Sequence, residues 1–235
     1  DYMFDCRTKS FESKVYKQQF KGFLIQANED IFDSSTVNLM DFRCNQESGI
    51  QFIYLLPFSP RLALIEPTTY SYDTQNDDFY LNTLNEYMLE IYNVNNFKIL
   101  NEEKGAIPLA LLPDDNSPAI QVGVRGNANR PASGYTFYFI QLQVKKAFDC
   151  IIKSKDKFNL NIHSLLIQFL DKVFLDVLKS NPKLAPKIFI SFGKSFTGNE
   201  LANFMTNKIK IKSLLGMIIN LPKVPFIKSF FRNLF

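Results

Sequence analysis

One acidic residue, Glu66, ends an apolar run of the sequence at a position where it could act as a general acid. The run extends over Leu62–Ile65, and Glu66 is followed by Pro67 and two threonines. Alternate side chains of a strand share a face, so Leu62, Leu64 and Glu66 are predicted to point inward together. Burial among apolar groups can raise the pKa of a carboxyl group by about 3–5 units. Glu66 is therefore either a proton donor kept neutral by burial or a carboxylate at an exposed strand end.

Asp41 is a second candidate catalytic residue. It lies in the segment LMDFR (39–43), which is typical of a short strand. Asp41 and Arg43 would project from the same face of that strand. They are expected to form an ion pair or to belong to a polar cluster beside a cofactor.

The segment VGVRGNANRPASGYTF (122–137) is the candidate for cofactor or anion binding. It has the pattern of a strand, a glycine-containing loop and the start of a helix, where free backbone N–H groups favour anions. Gly123, Gly126 and Gly134 would let a ligand approach the backbone closely. The G-x-G-x-x-G dinucleotide fingerprint is absent from the sequence, so a surface turn is the alternative.

Cysteine and histidine usage excludes several other chemistries. Cys6, Cys44 and Cys150 are widely spaced and have neither metal-ligand nor redox spacing. They are expected to be reduced thiols of a cytosolic protein, and no metal site is predicted. His163 is the only histidine, which excludes mechanisms that need two, and it is expected on a helix surface.

Positive charge is concentrated at the C-terminal end. The net charge of +4 divides into +6 in the last 35 residues and −2 in the preceding 200. The final segment (223–235) carries a broad apolar helical face made of Phe226, Ile227, Phe230, Phe231 and Leu234. This face fits either an anionic membrane surface or the protein's own core. No stretch has the roughly 18 apolar residues of a membrane span. The sequence has no recognisable nucleic-acid-binding motif, so a nucleic-acid partner is not expected.

The elements that would position these residues change in type along the chain. Period-two alternation predicts strands over 14–26, 36–43, 49–58 and 61–71, with a return to strands in 97–112. The strands on either side of Pro60 are expected to form a hairpin, because proline presets a turn dihedral. Helical spacing follows over 78–97, with an apolar stripe of Leu81, Leu84, Met88, Ile91 and Tyr92.

The predicted fold class is α+β, with an antiparallel sheet followed by a helical C-terminal region. The composition changes near residue 155, after a predicted strand, loop and long helix over 119–154. A β-rich domain over 1–155 and a helical region over 156–235 are therefore expected. With 46% hydrophobic and 21% charged residues, the chain can bury a sizeable core.

Several of these segments occur in an order that resembles one family, the bacterial flavin-dependent lycopene cyclases. The segments are FDCR (4–7), FKGFLI (20–25), LMDFR (39–43), FIYLLPFSPRLALIEPTTYS (52–71), EEKGAIPL (102–109) and GVRGNANRPASGYTFYFIQ (123–141). The family has a hairpin in which an acid and a threonine follow the second strand, here Glu66 and Thr68. It then has a Glu-x-Gly-x-(Ile/Leu)-Pro segment, here 103–108, and a glycine-rich loop that ends in Gly-Tyr. The resemblance covers nearly the whole chain.

The resemblance implies an activity, a cofactor and a set of site residues. Such enzymes form β-ionone rings at the ends of lycopene by acid-initiated cyclisation, with reduced FAD, NAD(P)H as the reductant and no net redox change. Glu66 would be the acid. The flavin would contact the loop at Gly123, Gly126, Pro131, Ser133, Gly134 and Tyr135.

The resemblance also implies a missing part. Members of the family begin with a Rossmann-type βαβ unit that holds the adenosine and pyrophosphate of FAD. This sequence is expected to be an N-terminally truncated fragment that keeps the substrate domain and only a remnant of the FAD-binding domain. The fragment alone is expected to be inactive and to bind FAD weakly.

Two positions depart from the family pattern. Many members have a second acid directly after the first, where this chain has Pro67. If a second acid is required, then Asp41, Glu102 or Glu103 must replace it, or the flavin must. Arg125 stands where relatives commonly have a small residue, which affects the expected geometry of the loop.

The resulting hypothesis is a lycopene cyclase that draws its hydrocarbon substrate from the bilayer. It would be cytoplasmic and peripherally associated with the inner face of the cytoplasmic membrane through its basic tail. A related FAD-dependent isoprenoid reductase or hydroxylase is the first alternative. A non-catalytic lipid-binding relative is the second.

Overall fold

The computed structural model describes residues 2–7, 15–47, 49–113, 117–153, 158–208 and 211–234. Contacts divide the chain into two compact units. The sheet unit comprises residues 16–106, and the helical unit comprises residues 1–15 with 107–235. This division falls at different positions from the change in composition near residue 155. The domain organisation predicted from that change stays a prediction.

Most of the strands belong to the sheet unit. The strands are β1 (Phe4–Asp5), β2 (Lys17–Ala27), β3 (Asn38–Asp41), β4 (Ile50–Ser59), β5 (Leu62–Ser71), β6 (Phe97–Pro108) and β7 (Ile120–Gln121). In the described part of the sheet unit, five of them form one sheet in the order β3-β4-β5-β2-β6. The pairs β2–β5, β3–β4 and β4–β5 are antiparallel. The predicted hairpin is confirmed, because β4 and β5 pair on either side of a turn at Pro60 and Arg61.

The helices follow the order that the sequence pattern indicates. They are α1 (Asp77–Tyr92), α2 (Phe137–Ile152), α3 (Leu165–Ser180), α4 (Ala185–Lys194), α5 (Gly198–Met205), α6 (Ile211–Asn220) and α7 (Lys223–Leu234). All except α1 belong to the helical unit. The predicted antiparallel sheet and helical C-terminal region are therefore confirmed. The described chain contains no helix with the length and apolar character needed to cross a bilayer.

Helix α1 packs on one face of the sheet and forms the core of the sheet unit. Because side chains alternate along β5, Ala63 and Ile65 face α1 and are fully buried. The other residues of this core are Phe23, Ile25, Ala27, Phe32, Ile53, Leu55, Tyr80, Leu84, Tyr87 and Met88. The sheet therefore has one face that is covered by α1 and one face that is not.

Local signals fix both ends of α1. The side chain of Asn76 accepts a hydrogen bond from the N–H of Phe79, and Asp77 and Asp78 lie in the first turn, where they favour the positive helix end. Asn93 ends the helix in the left-handed conformation at φ 55°, which asparagine tolerates well. The helix is therefore shorter at its C-terminal end than the predicted range 78–97.

The predicted apolar stripe of α1 is only partly right. Leu84 and Met88 are buried as expected, but Leu81 is exposed, and Tyr80 and Tyr87 take the inward positions. The reason is that tyrosine has an apolar ring as well as a hydroxyl group.

A small parallel pair opens the helical unit. β1 and β7 pair in parallel, with Phe4 opposite Ile120 and Asp5 opposite Gln121. A parallel pair followed by a loop and helix α2 is compatible with the predicted remnant of a Rossmann-type domain. That remnant stays a prediction.

Helix α7 lies against α3 through a mixed contact. The hydroxyl of Ser229 donates a hydrogen bond to the carbonyl of Val173 at 2.9 Å. The rings of Phe226 and Phe174 have centroids 6.1 Å apart. One side of the basic tail thus packs on the protein itself.

Replacement of Leu84 by alanine tests the core of the sheet unit. We expect Leu84→Ala to lower the free energy of unfolding by about 2–5 kcal/mol, because a fully buried leucine is lost and a cavity remains. Leu89→Ala on the same helix is the matched control, since Leu89 is 52% exposed, and a change within about 0.5 kcal/mol is expected. Urea denaturation followed by circular dichroism measures both. Equal effects would contradict the packing described for α1.

Candidate functional site

Glu66 lies on the sheet face that α1 does not cover. Leu62, Leu64 and Glu66 share one face, as predicted, and each is half-buried. The prediction that this face points inward toward the core is wrong, because the residues between them face α1. Both faces of β5 carry apolar residues, so the alternation alone did not identify the covered face.

The environment of Glu66 makes it a weak acid. Loss of solvent around the carboxyl group, and secondly the nearby charge of Glu103, raise the pKa of Glu66 to about 7. The hydroxyl of Thr68 lies 3.5 Å from Glu66 Oε1 and acts in the opposite direction. The carboxyl group of Glu66 therefore keeps its proton in a pH range where an ordinary glutamate has lost it.

Gly22 makes room for the side chain of Glu103 on this face. The register of β2 against β5 pairs Phe20 with Thr68 and Leu24 with Leu64, which places Gly22 opposite Glu66. A Cβ added at Gly22 would lie 2.8 Å from Cγ and 3.0 Å from Oε1 of Glu103. The side chain of Glu103 therefore occupies the space above Gly22, in the strand next to Glu66.

Gly105 makes a complementary space on β6. A Cβ at Gly105 would lie 2.5 Å from the ring of Phe20. Glu103 and Gly105 are two residues apart and therefore share a face. The Glu-x-Gly part of the segment 103–108 thus has a physical explanation. Glu103 lies over Gly22, and Gly105 leaves space for the ring of Phe20.

Aromatic side chains lie on the same sheet face as the acid. Tyr54 stands directly opposite Glu66 on β4. Burial, and secondly the charge of Glu66, raise the pKa of Tyr54 to about 12, so its hydroxyl stays protonated. Phe52 contacts Tyr54 and Tyr70 edge-on, with ring centroids 5.1 and 5.6 Å apart. The candidate acid therefore lies among rings and leucines.

Asp41 lies on the other face of the sheet. The predicted pair is present, since Arg43 Nη2 lies 2.6 Å from Asp41 Oδ2. The hydroxyl of Tyr87, on α1, also donates to Asp41 Oδ2 at 2.9 Å. Burial alone would raise the pKa of Asp41, but the hydrogen bonds from Arg43 and Tyr87 lower it. Asp41 is an ionised residue beneath α1 and does not meet Glu66.

The candidate cofactor loop follows β7 in the helical unit. Gly123 and Gly134 both have φ of +68°, a left-handed conformation that favours glycine. A Cβ at Gly123 would meet no atom within 4 Å, so the backbone there is open on one side. Gly126 has a different role, because a Cβ there would lie 2.4 Å from the carbonyl oxygen of Gln121.

The second half of the loop is a tight turn. The N–H groups of Ser133 and Gly134 donate to the carbonyl of Arg130 at 3.2 and 2.8 Å, and the N–H of Arg130 donates to the carbonyl of Tyr135. Pro131 and Gly134 are buried, whereas Ser133 and Tyr135 are half-buried. The predicted loop residues are thus brought together.

Gln143 of α2 holds the first half of the loop. Its Oε1 accepts from the N–H of Gly123 at 2.9 Å, and its Nε2 donates to the carbonyl of Gly126 at 2.6 Å. Gln143 is fully buried. The glutamine therefore satisfies backbone groups that the turn leaves unpaired.

A buried ion pair fixes the loop to α3 and α5. The Arg130 guanidinium lies 3.0 Å from Asp171 Oδ1, and both side chains are almost fully buried. Arg130 Nη1 also donates to the carbonyl of Phe204 at 2.7 Å. Arg125, the position that departs from the family pattern, lies 3.3 Å from Asp5 of β1 and so connects the loop to the parallel pair.

His163 is not on a helix surface, and that prediction is wrong. It is buried just before α3, where its Nε2 lies 3.2 Å from the carbonyl of Ala128 and its Nδ1 lies 3.2 Å from the amide nitrogen of Asn207. Burial lowers its pKa. The neutral ring with a proton on Nε2 satisfies both contacts.

Several residues of both sites escaped the sequence analysis. They are Gly22, Tyr54, Arg130, Gln143 and Asp171. Only Gly22 carried a local signal, because a glycine inside a strand pattern indicates close approach of another group. Within the described residues there is no cluster of three potential metal ligands.

The chain thus has a carboxyl group with a raised pKa on an antiparallel sheet, and a glycine-containing loop between a strand and a helix. A family model described as "Lycopene cyclase protein" matches residues 4–228. The chain belongs to the lycopene cyclase family.

Two relatives are similar in sequence over part of their length. A lycopene beta-cyclase of a Paracoccus species is 33% identical over 105 residues, which are 42% of this chain and 27% of that protein. A lycopene beta-cyclase of Pseudescherichia vulneris is 29% identical over 143 residues, which are 57% of this chain and 35% of that protein. The matched region thus spans about a third or less of each relative.

One solved structure is similar over most of the chain. It is a geranylgeranyl bacteriochlorophyll reductase-like protein from Thermoplasma acidophilum, with a TM-score of 0.49 and 10% sequence identity. The similarity covers 95% of this chain and 56% of that protein.

Removal of one charge tests whether the loop depends on its buried ion pair. We expect Asp171→Asn to lower the free energy of unfolding by about 3–5 kcal/mol, because Arg130 would remain buried without a counter-charge. Asp149→Asn is the control, since its pair with Lys145 is exposed and contributes only about 0.3–0.5 kcal/mol. Guanidinium denaturation compares the two variants. A small effect of Asp171→Asn would show that the pair does not hold the loop.

Proposed function

We propose that this protein is a lycopene cyclase that forms β-ionone rings at the ends of lycopene, with no net redox change. The observation that carries the proposal is the position of Glu66, a half-buried carboxyl group with a pKa raised to about 7 on an apolar, aromatic sheet face. An alkene is a very weak base and requires such a neutral acid. Membership of the lycopene cyclase family supports the substrate class.

The reaction begins with proton transfer from Glu66. The carboxyl group gives its proton to the terminal double bond of the polyene, and a carbocation forms. The neighbouring double bond attacks this cation and closes the ring. Loss of one proton from the ring then restores a double bond, so the product is an isomer of the substrate.

The same sheet face is suited to the cation. Tyr54 has its aromatic ring directly opposite the acid. An aromatic face stabilises a cation by about 0.5–2 kcal/mol. The half-buried Leu62 and Leu64 of this face offer apolar contacts to a hydrocarbon substrate.

The loop of the helical unit fits a flavin. Its backbone is open at Gly123, and the buried Oδ1 of Asn129 accepts no hydrogen bond from the described residues, although its Nδ2 donates to the carbonyl of Pro108. An open backbone and a free acceptor suit a planar ring with N–H donors. We assign FAD to Gly123, Gly126, Pro131, Ser133, Gly134 and Tyr135. The reduced flavin, with NAD(P)H as its reductant, would supply negative charge to the reaction.

The protein is further proposed to bind the inner face of the cytoplasmic membrane through α7. One side of α7 packs on α3, but Val224, Ile227, Phe231 and Leu234 are each more than half exposed. Their spacing of three, four and three residues places them on one helical face. After Glu200 the sequence has six basic residues and no acidic one, which favours an anionic leaflet. Phe226, which also belongs to the predicted apolar face, packs on Phe174 of α3.

A variant of Glu66 tests the proposed chemistry. We expect Glu66→Gln to reduce ring formation by about 10²–10⁴-fold, because the amide cannot deliver the proton. The whole open reading frame is expressed in lycopene-accumulating cells, and the pigments are separated. Glu90→Gln, at an exposed position of α1, is the control and should leave ring formation unchanged.

The pH dependence supplies a second readout of the same prediction. The active form of Glu66 is protonated and is populated below its pKa of about 7. The rate of cyclisation in cell extracts should therefore fall as the pH rises through about 7. Normal ring formation by Glu66→Gln would contradict the role of Glu66, whereas reduced or hydroxylated pigments without rings would favour a reductase or hydroxylase. Lipid binding without any product would favour a non-catalytic relative.

Membrane binding is tested by co-sedimentation with vesicles of phosphatidylcholine and phosphatidylglycerol. We expect the double variant Ile227→Ser/Phe231→Ser to bind several-fold more weakly, because it removes apolar side chains from the exposed face of α7. Leu165→Ser/Leu166→Ser is the matched control, since it removes two exposed leucines at the start of α3. Equal binding of the two double variants would contradict the role of α7. Equal binding of the unmodified protein to vesicles with and without phosphatidylglycerol would contradict it as well.

A further inference from the structure

We propose that Glu103 is the second acid–base group of this site and accepts the proton that the ring loses after Glu66 has started the cyclisation. The proposal rests on the proposed cyclase function. Many members of the family have two adjacent acids, but this chain has Pro67 in the second of these positions. The proposal therefore assigns the role of the second acid to a residue outside that pair.

The first argument is geometric. Glu66 and Glu103 lie on strands that flank β2, and between them stands Gly22, which has no side chain. Any larger residue at this position would collide with Glu103, because even a Cβ would lie 2.8 Å from its Cγ. The glycine therefore lets Glu103 lean across β2 toward Glu66.

The second argument is the distribution of charge around the pair. The titratable groups that face Glu66 are Tyr54 from β4 and Glu103 from β6. No cation in the described chain is paired with either carboxyl group. The charges on the α1 side of the neighbouring strands are paired among themselves, with Lys21 Nζ 2.7 Å from Glu102 Oε2 and 3.1 Å from Asp77 Oδ2.

Glu66 is the protonated member of the pair. Loss of solvent and, secondly, the nearby charge of Glu103 both disfavour its ionised form. Glu66 holds its proton because it is the more buried of the two, whereas Glu103 is exposed. The pair thus has one acid and one base at the same time, as an isomerisation requires.

The proton balance closes without another reactant. Glu66 gives one proton to the alkene and becomes a carboxylate. The ring loses one proton, which Glu103 takes up as a carboxylate and becomes an acid. Transfer of that proton from Glu103 to Glu66 restores the starting state, and no electron is gained or lost.

The electrostatic interaction between Glu66 and Glu103 is tested by following the infrared band of the protonated carboxyl group as a function of pH. Loss of the band in Glu66→Gln assigns it to Glu66. We expect Glu103→Gln to move the midpoint of Glu66 to lower pH, because a nearby negative charge is removed. Gly22→Ala should move it in the same direction by displacing the Glu103 side chain while both acids remain. Glu102→Gln is the matched control and should leave the midpoint unchanged, since Glu102 is paired with Lys21. An unchanged midpoint in Glu103→Gln would overturn the pairing.

The catalytic part is tested with the whole open reading frame in lycopene-accumulating cells. We expect Glu103→Gln to lower ring formation by about 10²–10⁴-fold, with partial recovery in Glu103→Asp, because a carboxylate is retained. Glu102→Gln should form rings at the normal rate. Rings from Glu103→Gln at the normal rate would overturn the role of Glu103 alone. Absence of rings from the unmodified protein would instead overturn the proposed function.

Discussion

Two carboxyl groups share one apolar sheet face in this protein, and no cation of the described chain is paired with either of them. Removal of water makes a negative charge on Glu66 costly, and the nearby charge of Glu103 adds to that cost. Neighbouring strands lie only about 4.8 Å apart, so a glycine in the intervening strand is enough to bring the acids into range. Gly22 is thus as much a part of the site as Glu66 and Glu103, although it has no functional group.

The two faces of the sheet divide the remaining charges. Under α1, Asp41 is held by Arg43 and Tyr87, and Lys21 neutralises the acids near it. These contacts give the covered face a closed set of ion pairs and hydrogen bonds. The face that α1 does not cover has rings and leucines instead, and there loss of solvent, together with the charge of Glu103, raises the pKa of Glu66. In the helical unit, a different set of buried polar groups holds the glycine-containing loop in one conformation.

Much of the fold could be predicted because the signals were local. The hairpin was indicated by alternation on both sides of a proline, and α1 was indicated by its helical spacing. The errors arose where tertiary contacts decided. Leu81 was placed in the apolar stripe but is exposed, since Tyr80 and Tyr87 meet the sheet in its place. His163 was placed on a surface but is buried against the loop.

The sequence by itself determined which residues of the site share a strand face. It also determined the order of segments that places the chain in its family, and the glycine-containing loop. It could not decide which face of β5 is covered, because period-two alternation defines two faces without saying what packs on either. Only the tertiary structure brought Glu103 to Glu66 across β2 and joined Arg130 to Asp171, 41 residues away. Such contacts depend on strand order and helix packing, and these arise from the whole chain rather than from local spacing.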